Sequence, residues 1–140
     1  MDNYTFKKLD KSELLNLPVS TLAWIGDAVY TLCAREYELR FFQGKPNKLH
    51  KMATEIVNAS AQSEELYKIM PLLTEVETNV VKRAINTPIS TKSKHYGIAE
   101  YKRSTGLEAL IGYLYLLDDK ARLNEILELI FKEKGNDYLG

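Results

Sequence analysis

Two acidic residues stand inside otherwise apolar segments, Asp27 in LAWIGDAVY and Glu108 in TGLEALIGYLYL. An unpaired carboxylate is costly to bury. Two carboxylates from separate helices can share a hard divalent cation, which offsets the cost of burying both charges. Mg²⁺ suits such a pair because it keeps several waters and takes one or two protein carboxylates together with substrate phosphate oxygens. The two acids therefore predict a site for phosphate chemistry.

Each acid alone has a simpler explanation. An isolated Asp27 is explained by exposure to solvent or by pairing with a lysine. Thr105 with Glu108 matches a capping box, which would make Glu108 a helix cap. The segment EYKRS before Thr105 is itself compatible with a helix, which favours a helix that begins earlier. Gly26 is a further signal, because glycine inside a helix costs about 1 kcal/mol relative to alanine and indicates close approach of another backbone.

Apolar residues recur mostly at helical spacing, which predicts an all-α fold. The first helix is capped by Ser20, reaches about residue 42 and carries an apolar side formed by Leu22, Ile25, Val29, Leu32 and Cys33. Further helices are expected around residues 49–57, over 59–70, from a capping box at Thr74 and Glu77 to about 85, over 99–117 and over 120–134, where Gly135 ends the last one. Residues 86–97 predict a mobile basic loop.

The composition is that of one ordinary soluble domain, with 140 residues of which 45% are hydrophobic. We expect a single domain over residues 1–140 with its core at about 17–134. The chain has 1 cysteine, Cys33, which excludes an intramolecular disulfide and is most simply a small core residue. A polar start without a signal peptide predicts a cytoplasmic protein, and the longest apolar run, residues 109–117, is too short to cross a membrane.

The formal net charge is zero, but the charges are segregated along the chain. Residues 82–103 hold six basic side chains and one acidic side chain, and residues 40–51 hold four basic side chains and no acidic one. This segregation suits a protein with one face for a polyanion. Solvated loops that happen to be basic are the alternative.

The strings AWIGDAVY (23–30) and STGLEALIGYLYL (104–116) resemble the two signature helices of the ribonuclease III catalytic domain. The strings KPNKLHK, VNASAQSEEL and VKRAIN are similar to Mini-ribonuclease III. The expected lack of a double-stranded-RNA-binding domain after Gly140 fits the same branch of the family. The resemblance covers about residues 17–127.

This resemblance implies an all-helical endonuclease domain that forms a homodimer and binds double-stranded RNA in a groove between the subunits. Asp27 and Glu108 would be the catalytic residues and ligands of Mg²⁺, with Mn²⁺ as a substitute, and the products would carry 5′ phosphates. The implied role is maturation of precursor 23S ribosomal RNA in the cytoplasm, with a ribosomal protein as a candidate partner. The predicted RNA-binding residues are Asn47, His50, Lys51, Lys82, Arg83, Asn86 and Lys94.

Three positions depart from the family patterns. Full-length ribonuclease III enzymes have acids where this chain has Ala23 and Thr105, so Thr105 would at most hydrogen-bond a metal-bound water. Ile85 stands where the Mini-ribonuclease III pattern has arginine, which removes one expected RNA contact. Trp24 is predicted to pack in the core or in the dimer interface.

These departures keep two rival functions open. The first rival is a non-catalytic RNA-binding or ribosome-assembly protein with a degenerate site. The second is a purely structural helical dimer, which explains the apolar helices but not the acids within them.

Overall fold

All regular structure in the described part of the chain is helical. The computed structural model describes residues 9–41, 45–48, 51, 54, 57–88 and 97–139, and within these ranges it contains no strand. The helices are α1 (Lys11–Asn16), α2 (Val19–Phe41), α3 (Ala59–Ile69), a 3-10 helix (Met70–Leu72), α4 (Glu75–Ile85), α5 (Ile98–Leu117) and α6 (Lys120–Leu139). Residues 46–48, 51 and 54 are also helical, whereas most of the helix predicted at 49–57 lies outside the described residues. The all-α prediction is confirmed.

Helix α5 is the centre of the fold, because α2, α3 and α4 all pack against it. Its middle is buried on nearly every side, with Leu107, Leu110, Ile111 and Leu114 at most 2% exposed. A helix that is apolar all round is expected at the centre of a bundle rather than at its surface. This burial explains why Glu108 stands out in the sequence of α5.

Helices α2 and α5 touch backbone to backbone where they cross. A Cβ atom added at Gly26 would lie 1.6 Å from the carbonyl oxygen of Glu108, and one added at Gly112 would lie 1.9 Å from the carbonyl oxygen of Leu22. Neither position has room for any side chain. The prediction that Gly26 marks a close approach of another backbone is confirmed.

The capping box predicted for α4 is present. The backbone amide of Glu77 donates to Thr74 Oγ1 at 3.2 Å, and the amide of Thr74 donates to Glu77 Oε1 at 2.8 Å. The Glu77 carboxylate also ties α4 to α6, since Arg122 donates to its two oxygens at 2.8 and 2.9 Å. Burial acts to raise the pKa of Glu77, but the hydrogen bonds from Arg122 and Thr74 outweigh burial and lower it.

The N-terminal part of the fold differs from the prediction. Helix α1 was not expected; it begins with a capping box in which Glu13 N donates to Asp10 Oδ1 at 2.8 Å, and it buries Leu14. The prediction of Ser20 as the N-cap of α2 is wrong, because the carbonyl of Pro18 already accepts the amides of Thr21 and Leu22. Ser20 therefore lies within the first turn of α2.

Two further predictions are corrected. Leu32 is 56% exposed, because the side of α2 that faces the core is the one that carries Leu22, Tyr30 and Ala34. The last helix passes through Gly135 to Leu139, since an internal glycine weakens a helix by only about 1 kcal/mol and does not by itself end one. In the described part of the chain, no helix is long and apolar enough to span a membrane.

We predict that Gly26→Ala lowers the free energy of unfolding by about 3 kcal/mol or more, because the added methyl group meets backbone that cannot move aside. Urea unfolding followed by circular dichroism measures this change. Gly97→Ala is the control, since its Cβ would meet only the Glu100 side chain at 3.7 Å and should change the free energy by less than about 1 kcal/mol. Equal stability of the two variants would contradict the close helix contact.

Candidate active site

The crossing of α2 and α5 brings Asp27 and Glu108 together. Asp27 directly follows Gly26, and Gly26 packs on the backbone of Glu108 itself. The two carboxyl groups are close enough to share a hydrogen bond. Asp27 is exposed, whereas Glu108 is only partly exposed. The pair therefore has one oxygen-rich side open to solvent and one side anchored in the core.

Burial dominates the electrostatics of this pair. Burial, together with the hydrogen bond to Asp27 and the negative charge of Asp27, raises the pKa of Glu108 to about 9, while the Gln62 amide opposes this rise. Two carboxylates in contact cannot both ionise without a compensating positive charge. In the absence of a cation, Glu108 therefore holds a proton at neutral pH and shares it with Asp27.

The residues present fit a hydrated divalent cation. A cation can take the place of the shared proton, and Mg²⁺ needs only one or two protein carboxylates when waters and phosphate oxygens complete its shell. Among the described residues, no group of three or more acidic, histidine or cysteine side chains could hold a metal ion. Ala23 is buried and apolar, and the Thr105 hydroxyl donates to the Tyr101 carbonyl at 3.0 Å, so neither position adds a charged ligand.

The alternative role of Glu108 as a helix cap is excluded by the position of this residue in α5. Helix α5 begins at Ile98, so Thr105 and Glu108 lie two turns inside it and cannot form a capping box at its start. The helix-compatible segment before Thr105 is part of the helix, as its sequence indicated.

A buried polar layer lies beneath the acid pair. Gln62 on α3 is 4% exposed and contacts Glu108, yet its Nε2 atom makes no hydrogen bond of standard geometry within the described residues. Tyr30 is completely buried, and burial, followed by the charges of Glu65, Cys33 and Glu108, raises the pKa of its hydroxyl. Gln62 was not among the residues predicted from the sequence. The pattern that could have indicated it is a polar glutamine on the same helix face as the apolar Leu66 and Ile69.

The predicted RNA-binding residues divide into three groups. Asn47, Lys51, Lys82 and Asn86 are exposed, whereas His50 and Lys94 lie outside the described residues. Arg83 is exposed but donates to the carbonyl oxygens of Leu15 and Leu17 at 3.2 and 3.1 Å. These two bonds join the end of α1 to α4, a structural role that the sequence analysis did not foresee.

The structure shows the surroundings of three other side chains singled out in the sequence. Ile85 packs against α5, where its Cγ1 lies 3.4 Å from the position of a Cβ on Gly106, so this side chain contributes to the core. Burial, followed by the charge of Glu36, raises the pKa of the Cys33 thiol to about 11, which fits an unreactive packing residue. Trp24 is 74% exposed, so its predicted packing in the core of this chain is wrong.

Arg103 is a second residue that the sequence analysis missed. Its Nε donates to the buried hydroxyl of Ser63 at 2.5 Å, and its guanidinium lies 4.8 Å from the centroid of the exposed Tyr67 ring. Ser63 directly follows Gln62 in the sequence. Gln62 and Ser63, which are consecutive on α3, therefore contact Glu108 and Arg103 of α5.

Comparison with known proteins agrees with this architecture. Residues 20–119 match the ribonuclease III domain. Mini-ribonuclease 3 of Brevibacillus brevis is 42% identical over 127 residues, which cover 88% of this chain and 95% of the relative. Mini-ribonuclease 3 of Symbiobacterium thermophilum is 44% identical over 123 residues, which cover 86% and 95%. A crystal structure of a Fusobacterium nucleatum protein superposes with a TM-score of 0.77 at 34% identity and covers 85% of this chain and 95% of that one.

The chain therefore belongs to the ribonuclease III family, and it is an endoribonuclease. Enzymes of this family act on double-stranded RNA, generally depend on divalent metal ions and are usually dimeric. The match to the ribonuclease III domain confirms the resemblance carried by the sequences of α2 and α5. The two relatives confirm the resemblance to Mini-ribonuclease III carried by KPNKLHK, VNASAQSEEL and VKRAIN.

We predict that the free energy of unfolding, measured in chelator, falls as the pH rises from about 5 to about 9. Folding raises the pKa of Glu108 from 4.5 to about 9, so the folded state binds the proton more tightly. This contribution is complete below the unfolded pKa and is lost as the pH approaches the folded one. Urea unfolding at pH 6, 7 and 8 measures the slope, which should be smaller in Glu108→Gln; equal slopes would contradict the buried acid pair.

Proposed function

We propose that this protein is a Mg²⁺-dependent endoribonuclease that cleaves double-stranded RNA and leaves 5′ phosphates. The observation that supports the proposal is the contact between Asp27 and Glu108 at the crossing of α2 and α5. Two acids held together by rigid backbone, with one of them exposed, have little structural purpose without a cation. Family membership supplies the reaction class, and the acid pair supplies the residues.

Asp27 and Glu108 would hold the cation through their carboxylate oxygens. When bound, Mg²⁺ lowers the pKa of a water and stabilises negative charge on a leaving oxygen. The protein contributes position and charge. Glu108 is fixed by the packing of α5, and Asp27 is exposed on the side from which a duplex would arrive. Thr105 lies one turn of α5 before Glu108, as a candidate to hydrogen-bond a metal-bound water.

We propose that basic and amide side chains on α4 and on the neighbouring segments bind the RNA backbone. Lys82 and Asn86 are exposed at the end of α4, and Asn47 and Lys51 are exposed in the second basic segment; His50 and Lys94 complete the proposed set from the sequence. Phosphate contacts of this kind give affinity that falls with salt and carry little sequence information. Recognition would then depend on the shape and 2′-hydroxyls of an A-form duplex.

The finer parts of the proposal concern assembly and substrate. A homodimer is supported by the exposed apolar side chains of Trp24, Leu32 and Leu39, which share one face of α2. The composition supports a single domain over residues 1–140, and the single cysteine supports a cytoplasmic location. The resemblance to Mini-ribonuclease III supports precursor 23S ribosomal RNA as substrate and a ribosomal protein as partner.

The rival from the sequence analysis is a non-catalytic RNA-binding or ribosome-assembly protein, which membership of an endoribonuclease family opposes. The observation on its side is that positions 23 and 105 carry no acid, which leaves two carboxylates at the site. Both candidates require duplex binding, and only the first requires cleavage.

We predict that Asp27→Asn binds duplex RNA with nearly wild-type affinity but cleaves it about 10³-fold more slowly, since the cation supplies several kcal/mol of transition-state stabilisation. Cleavage of a long perfectly paired RNA in Mg²⁺ or chelator measures the rate, and gel shift in Ca²⁺ measures the affinity.

Lys132→Ala is the control, because it alters an exposed charge on α6 and should change neither quantity. Wild-type binding without cleavage of duplex RNA or precursor ribosomal RNA would favour the non-catalytic candidate. Cleavage by Asp27→Asn at the wild-type rate would refute the assigned role of Asp27.

Neighbouring basic residues on α4 should respond differently to alanine substitution. We predict that Lys82→Ala lowers the slope of log affinity against log salt by about one unit, because one phosphate contact is lost. Arg83→Ala, unlike Lys82→Ala, should lower the free energy of unfolding by about 1 kcal/mol, because the hydrogen bonds from Arg83 to the carbonyl oxygens at the end of α1 are lost. Titrations at four salt concentrations and urea unfolding measure the two effects. An unchanged slope in Lys82→Ala would place the RNA on another face.

A further inference from the structure

Gln62 is a polar group near the acid pair that the proposed chemistry does not yet use. Its side chain is 4% exposed, and its Nε2 atom is buried without a hydrogen bond of standard geometry in the described part of the chain. Buried amide groups are almost always hydrogen-bonded, and an orphaned one destabilises the fold. An apolar residue of similar size would pack at this position without that loss.

Helix α3 holds Gln62 in a fixed place. Asn58 caps the helix by accepting the amide of Ala61 at 2.9 Å, and Leu66 and Ile69 are each 1% exposed in the core. The adjacent Ser63 is tied to α5 through Arg103. The amide of Gln62 is therefore presented to Glu108 by a helix anchored on both sides of it.

The chemistry of the two groups determines which form of Glu108 the amide serves. An ionised carboxylate only accepts hydrogen bonds, and an amide nitrogen has two hydrogens to donate. A carboxylate that binds a cation is ionised, so Glu108 as a ligand can accept a hydrogen bond from this amide. The buried Nε2 atom of Gln62 has a donor to supply.

We propose that Gln62 is a positioning residue that donates a hydrogen bond from Nε2 to the ionised Glu108 carboxylate and so orients it for the divalent cation. The inference rests on the proposed function of the Asp27 and Glu108 pair. Groups that orient metal ligands in this way typically change metal affinity or activity by 10-fold to 100-fold when they are removed.

The test is Gln62→Met, which keeps the length of the side chain and removes the donor. We expect the dissociation constant for Mn²⁺, measured by electron paramagnetic resonance without RNA, to rise about 10-fold. The Mg²⁺ concentration for half-maximal cleavage should rise by a similar factor, and the rate at saturating Mg²⁺ should recover. The unfolding temperature in chelator should stay equal or rise, because an orphaned polar group has been removed.

Ser104→Ala is the matched control. Ser104 is 5% exposed and its hydroxyl donates only to the Tyr101 carbonyl of its own helix, at 2.7 Å, so the loss of this buried polar group should leave Mn²⁺ affinity unchanged. Gln62→Leu provides a second donor-free variant if Gln62→Met does not fold.

Unchanged Mn²⁺ affinity and Mg²⁺ dependence in the folded donor-free variant would overturn the proposal, and so would a lower unfolding temperature as its only effect. The wild-type protein distinguishes failure of the proposed function from failure of the proposed role of Gln62. If the wild type neither binds Mn²⁺ nor cleaves duplex RNA, the proposed function fails and this proposal fails with it. If the wild type does both and Gln62→Met matches it, only the role of Gln62 is refuted.

Discussion

The contact between the backbones of α2 and α5 is the constraint on which the site depends. Gly26 and Gly112 let the two helices approach until a Cβ at either position would overlap a carbonyl oxygen of the other helix. Because Asp27 follows Gly26, and Gly26 rests on Glu108, the contact that packs the core also sets the separation of the two carboxyl groups. Rigid backbone thus holds together two groups whose charges repel when both are ionised.

Contacts elsewhere in the fold stabilise the helices that hold these two repelling carboxylates. Capping boxes start α1 and α4, so backbone amides that helix ends leave unpaired are satisfied locally. Arg83 ties α1 to α4, and Arg122 ties α4 to α6 through a buried carboxylate. These charged groups all have partners of opposite charge or polarity. Beneath the acid pair, Gln62 keeps a buried amide donor without a partner among the described residues, and functional sites are where such exceptions are expected.

A site with two carboxylates places more weight on the surroundings of each ligand. Because neither Ala23 nor Thr105 supplies a carboxylate, a cation would depend on Asp27, Glu108, water and phosphate oxygens. The orientation of Glu108 then matters more than in a site with additional acids, which gives a physical reason for a fixed amide beside it. Ile85 has a separate role, because its side chain packs on α5 at Gly106.

Residue patterning alone established the helical class, the extents of α3, α4 and α5, and the two acids that lie within apolar segments, because periodicity and capping are local properties. It also indicated the close approach at Gly26, since a glycine inside a helix is unfavourable without such a contact. Only the tertiary structure decided that Leu32 and Trp24 face outward, that Arg83 serves α1, and that Gln62 lies against Glu108. These facts depend on which helices meet, and the spacing of residues within one helix carries no information about the residues opposite it.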